Sequence, residues 1–161
     1  MAWQKLTTKN ASSTVSSLTT DVFTAKKFIT ILCQYFDNAG ANSQADTQVG
    51  STTIDTSTNY SDRQSSNGGA DGTNVSATLI DSSRDNLDGF SVGYAINISA
   101  EEKLFIFFNV AKAGTGAANA PERQESVGKW VNTSSQFDIY QMQAGARTFI
   151  SDSNISALGT D

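Results

Sequence analysis

The sequence predicts an all-β protein: an antiparallel β-sandwich of the jelly-roll type, with eight to ten short strands in a single domain spanning residues 1–161. Three observations point there. Serine and threonine make up about a quarter of the chain while leucine and other strong helix formers are scarce, a bias toward strands and polar loops. The stretch FSVGYAINI at 90–98 alternates without exception, with Phe90, Val92, Tyr94, Ile96 and Ile98 on one face and Ser91, Gly93, Ala95 and Asn97 on the other. Turn-rich runs such as SSNGGADGTN at 65–74 punctuate the chain at short intervals. Serine, asparagine and glycine also favour disorder, but the regular alternation of the phenylalanines and isoleucines confines that reading to the loops.

From the N-terminus, WQKLTT at 3–8 is a short first strand, and a weak second one surrounds Val15 to Leu18. KKFITILCQYFD at 26–37 is the first strong strand, with Ile29, Ile31, Cys33 and Tyr35 on one face and Phe28, Thr30, Leu32, Gln34 and Phe36 on the other. Both faces are apolar, so this strand is expected to be central or to bury its second face in an oligomer. Further strands are expected over 47–54, 59–64 and 75–80, and a loop or single helical turn over 82–89. Ser99-Ala-Glu-Glu turns the chain, and Ser99 with Glu102 has capping-box spacing. The return strand from Lys103 to Val110 is expected to send Leu104, Ile106, Phe108 and Val110 into the core and to leave Phe105 and Phe107 as an outward pair. After a small-residue loop at 111–121 come strands over 122–131 and 137–142. AGAR at 144–147 then suggests a hairpin turn, and Ile155, Ala157 and Leu158 a last strand.

Composition excludes several functions. A net charge of -5 and scattered basic residues speak against nucleic acid, which needs clustered Lys and Arg. The N-terminus lacks the apolar core of a signal peptide, and no run reaches the ~18 apolar residues that span a membrane. Synthesis in a cytoplasm, with no membrane partner, is expected. Histidine is absent, which removes the commonest general base and most zinc sites. Cys33 is alone, so no intramolecular disulfide forms, and its place in an apolar strand marks it as a small buried hydrophobe rather than a reactive thiol.

Carboxylates are the remaining source of chemistry. Asp81, Asp85 and Asp88 lie close together, and Asp85-Asn-Leu-Asp88-Gly resembles a fragment of a calcium loop. The alternating ligand spacing and the distal Glu are missing, however, so a solvated acidic turn is the simpler reading; Asp62 and Asp71 could add ligands from another loop. Glu101 and Glu102 are adjacent and would diverge on a strand, unlike the facing carboxylates of a glycosidase. There is no G-x-S-x-G elbow, phosphate loop or Cys/His cluster. No catalytic residue, metal site or cofactor is therefore expected. Trp3, Trp130, Tyr60 and Asn67 are available for a sugar platform, although core or interface packing suits Trp130 better.

Several segments carry a resemblance: MAWQKL at 1–6, SSNGGADGTN at 65–74, FSVGYAINISAEEKL at 90–104, VGKWVNTSSQ at 127–136 and SNISALGTD at 153–161. Together they resemble the small jelly-roll virion proteins of tailed, often marine, phages. The resemblance brings no catalytic motif. It implies a non-enzymatic virion protein assembled in the host cytoplasm, most simply a capsid decoration or cement protein contacting capsid or other virion proteins. The alternative is a tail-fibre or tail-tip module, lectin-like, recognising a host surface glycan. A homo-oligomer, such as a trimer, is expected, with Trp3, Phe28, Phe36, Phe105, Phe107 and Trp130 as candidate interface residues.

Overall fold

The computed structural model describes residues 2–36, 45–83, 88–145 and 147–161. Among them the chain forms twelve antiparallel strands and no α-helix. These are β1 (Gln4–Asn10), β2 (Ser17–Thr19), β3 (Phe28–Tyr35), β4 (Asp46–Ser51), β5 (Thr53–Ile54), β6 (Tyr60–Ser66), β7 (Gly72–Ala77), β8 (Gly89–Ile96), β9 (Lys103–Ala111), β10 (Glu122–Trp130), β11 (Ile139–Gln143) and β12 (Asn154–Thr160). The segment 47–54 breaks at Thr52, whose φ of 68° puts it in the left-handed region, and so yields two strands; the strands expected at 59–64 and 75–80 form over 60–66 and 72–77, as a hairpin that reaches into the expected glycine loop.

The strands form two sheets, in the orders β1-β12-β3-β8-β9-β10-β6-β7 and β2-β11-β4-β5. Four nested pairs generate them. β1 pairs with β12 and β3 with β8 in the larger sheet, while β2 pairs with β11 and β4 with β5 in the smaller. Such a hairpin, folded over on itself, is the jelly roll the sequence predicts. The strands β6, β7, β9 and β10 are extra and widen the larger sheet on the β8 side. Arg147 N–H donates to Ala144 O at 3.0 Å, but β11 and β12 lie in different sheets, so the segment 144–147 is not the hairpin turn expected there.

The core lies between the sheets. From the larger sheet come Ile29, Ile31, Cys33, Tyr35, Ala95, Phe105, Phe107, Ile155 and Ala157; from the smaller come Leu18, Val49, Tyr140 and Met142. Buried hydroxyls are satisfied within it. The Tyr140 hydroxyl pairs with Thr47 Oγ1 at 2.6 Å and accepts from Cys33 Sγ at 3.7 Å, and Tyr35 Oη accepts from Asn109 Nδ2 at 2.6 Å. Asn97 ties one end of the sandwich shut, donating to Lys26 O and Phe137 O and accepting from Phe137 N–H.

The orientation of β8 and β9 is the reverse of the expected one. Phe105 and Phe107 are each 1% exposed and stack at 5.9 Å between ring centroids, 7° from parallel. Their register explains why. Phe107 lies between Gly93 of β8 and Ser126 of β10, and Phe105 between Ala95 and Gly128. A Cβ on Gly93 would come within 2.6 Å of Phe107 Cε1, and one on Gly128 within 2.7 Å of Ile80 Cγ2. Gly93 of β8 therefore makes room for the Phe107 ring, and Gly128 of β10 for the buried Ile80 side chain. The alternation in β8 marks two faces correctly, but its small and polar face is the one that points inward.

Two outcomes are expected. Phe107→Ala should lower stability by about 3–5 kcal/mol and Gly93→Ala by about 1–3 kcal/mol in urea titrations, the first by leaving a cavity and the second by overpacking. Burial pushes the Cys33 thiol up to about 12, against a weaker opposing effect of its bond to Tyr140. Cys33 should therefore resist iodoacetamide at pH 8 until the chain is globally unfolded, as read by mass spectrometry.

Candidate protein-docking face

With Phe105 and Phe107 turned inward, the other face of β9 points to solvent, and the neighbouring strands continue it. Register aligns four cross-strand rows on this face: Phe28, Ile96 and Leu104; Thr30, Tyr94, Ile106 and Val127; Leu32, Val92 and Phe108; and Gln34, Phe90 and Val110. Leu104 is 54% exposed, Phe108 51%, Val127 50%, Tyr94 48% and Ile106 47%. With Trp3, Phe28, Phe90 and Val110 included, the apolar surface left to water is on the order of 800 Å², above the 300–600 Å² typical of the largest patch on a monomer.

The relief of the face is uneven. Trp3, Phe28, Tyr94, Ile96, Leu104 and Ile106 bound a hollow of about 540 Å³. A second hollow of similar size, also about 540 Å³, runs past Phe36, Phe90 and Val110. The charges at the rim include three ion pairs. Lys129 Nζ meets Glu102 Oε2 at 2.8 Å, Arg63 Nη1 meets Asp71 Oδ2 at 3.3 Å, and Arg123 Nη1 meets Glu125 Oε1 at 3.5 Å. Such an apolar centre with a polar rim is the anatomy of a protein interface.

Of the expected interface residues, Trp3 and Phe28 are exposed on this face and Phe36 is half-buried at its end. Phe105, Phe107 and Trp130 are instead in the core, each 1% exposed. Trp130 Nε1 donates to Asp55 Oδ2 at 2.8 Å, and the Lys103 ammonium sits 5.8 Å from its ring centroid. Lys103 in turn donates to Glu101 O and Asn132 O, both at 2.6 Å, so a buried cation pins the turn before β9 to the loop after β10. Tyr94, Leu104, Ile106, Phe108, Val110 and Val127 belong to the face although alternation alone placed the β8 and β9 members in the core. The volume match of Phe107 with Gly93 is the signal that identifies them.

The other proposed ligand positions have structural duties. Tyr60 is buried, accepting from Val49 N–H at 3.1 Å and donating to backbone carbonyls of Val49 and Asp55. The Asn67 side chain accepts from Arg123 N–H at 2.9 Å. Asp62 is buried and accepts from Asn74 Nδ2 and from the Asp81 backbone N–H. Burial raises its carboxyl above the ordinary range, partly offset by those two bonds. Asp81 accepts from Gln124 Nε2 at 2.8 Å, Asp71 pairs with Arg63, and Asp88 lies 3.7 Å from Lys112. Asp85 falls outside the described residues. Among the described residues no three His, Cys, Asp or Glu side chains cluster as metal ligands would.

No family model matches the chain, and no curated protein does either. One solved structure to which it is similar is the CBM2 module of the evolved Dit of Lactobacillus casei BL23 phage J-1, at 7% identity over 88% of this chain and 68% of that one, with a TM-score of 0.28. A likeness of that size establishes neither a common fold nor a common ligand.

Asp55 supplies a further expected outcome. Burial pushes its carboxyl up, but bonds from Asn59, Trp130 and Ser57 outweigh this and hold it below the ordinary range. A depressed carboxyl stabilises the fold above its unfolded-state pKa, and that contribution disappears as pH falls through the folded-state value. Asp55→Ala should therefore cost about 1–3 kcal/mol at pH 7, where Trp130 Nε1 is left without its acceptor. The gap to the parent should narrow in acid, as followed by Trp130 fluorescence in denaturant titrations.

Proposed function

We propose that the chain is a non-enzymatic structural protein of a virus particle, a capsid decoration or cement protein that works through protein–protein contact. The observation that carries this reading is the exposed apolar face of the larger sheet, rimmed by internally paired charges. The resemblance of the sequence to small phage virion proteins supplies the setting, with assembly in the host cytoplasm alongside other virion proteins. The reading requires no cofactor.

Recognition of a glycan by a tail module is the weaker alternative. Of the four residues considered for a sugar platform, Trp130 and Tyr60 are buried and Asn67 is engaged with β10. Trp3 does border a hollow, but among the described residues only Tyr94 and Thr160 add polar side chains to its own indole N–H there. Sugar sites rely on several convergent polar groups to orient the ring.

The test is incorporation into particles. An antibody against the purified protein should label intact virions, and Ile106→Lys should lower its occupancy on them by about tenfold or more, equivalent to at least ~1.4 kcal/mol of docking free energy. The control Val22→Lys, at a position 54% exposed but off this face, should be retained. Absence of the protein from purified virions would refute the reading.

A further inference from the structure

We infer that the occupant of the outer apolar face is a second copy of the chain, packed sheet to sheet about a two-fold axis. The inference rests on the reading of that face as a protein interface and specifies its partner. Area is the first argument. The exposed apolar surface is on the order of 800 Å² per copy, the share one partner contributes to a standard interface of about 1,600 Å². Two twisted sheets pack face to face about 10 Å apart with strand directions within ~30°, a geometry that a broad four-row patch on a central sheet region can meet.

Electrostatics is the second argument. A patch ringed by one sign of charge would repel its own copy and select an oppositely charged partner. Here Lys129, Arg63 and Arg123 are each paired within the chain with Glu102, Asp71 and Glu125. At these three positions, bringing two rims together opposes no uncompensated charge. The face also carries both projecting side chains, such as Tyr94 and Phe108, and the hollow beside Trp3. An isologous contact needs both on one surface, since each copy must present what the other receives.

The sheet edges leave the face as the better route to self-association. The β1 edge has a register shift between Lys5 and Thr7. The opposite edge has one in β6 between Tyr60 and Asp62, and Ser76 on β7 has a φ of 52°. In the smaller sheet the edge strands are three and two residues long. Bulged and short edges block strand-to-strand addition.

The test is sedimentation equilibrium of the full chain between 1 and 100 µM, ranges chosen to bracket the ~µM affinities such interfaces reach. The expected species has twice the 17.1 kDa chain mass. Its association should be little changed by ~1 M salt, which screens exposed charges but not apolar burial. Ile106→Lys and, without added charge, Tyr94→Thr should each weaken association at least about tenfold. Both variants should keep the parental circular dichroism, and Val22→Lys, at an exposed position off this face, should leave the dimer intact. A parent that is monomeric throughout, a trimer, or a dimer indifferent to both face variants would overturn the second-copy assignment. A monomeric parent that still labels virions, and loses that labelling with Ile106→Lys, would separate this failure from failure of the virion reading.

Discussion

The architecture turns on how two phenylalanine rings fit between small residues. Phe105 and Phe107 lie side by side on β9, flanked by Gly93 and Ala95 on β8 and Ser126 and Gly128 on β10, and Gly93 leaves the space that Phe107 fills. A β-strand has a side-chain period of two, so fixing one residue's direction fixes all its neighbours. Once these rings enter the core, Leu104, Ile106, Phe108 and Val110 must leave it, and β8 must present Phe90 and Tyr94 outward beside them. The core and the outer face are two results of one packing decision.

The sandwich also depends on a few polar contacts inside it. Thr47 and Tyr140 join within the smaller sheet, and Tyr140 reaches Cys33 across the interior. Asn109 and Tyr35 satisfy each other beneath β8, and Asn97 holds the segment before β11 against the end of β8. Each is a buried polar group with a partner, so none carries the cost of an unmet hydrogen bond. Gln124, Asp81 and Asp62 do the same beneath the extra strands, where the larger sheet outgrows the smaller. Of the carboxylates considered as ligands, Asp62 and Asp81 are occupied in this way.

Strand positions were largely legible in the sequence. The segments around 28–35, 89–96, 103–111 and 139–143 alternate strongly enough to be recognised, and the nested pairing fits the jelly roll expected from many short strands. Sidedness was not. In β8, hydrophobicity favours Phe90, Val92 and Tyr94 for the interior, yet volume favours Ser91, Gly93 and Ala95. Pattern reading weighs polarity and cannot see the rings on the next strand. The same blindness put Trp130 at an interface, because its partners Asp55 and Lys103 come from distant segments. Trp3 and Phe28, also expected at an interface, are exposed.

The nested pairing also sets an order of events for the chain as it is made. β1 pairs with β12, so Gln4 must wait for Gly159, and β2 for β11. By contrast β8, β9 and β10 follow one another as a meander whose contacts close over short loops. This local unit can form on a partly synthesised chain, well before the long-range pairs that complete the roll. For that interval both of its faces are uncovered: the one awaiting the smaller sheet and the one carrying Tyr94, Ile106 and Phe108. Emerging polypeptide is thus most prone to aggregation midway through synthesis, and the bulged β1 edge is set in place only when the termini close.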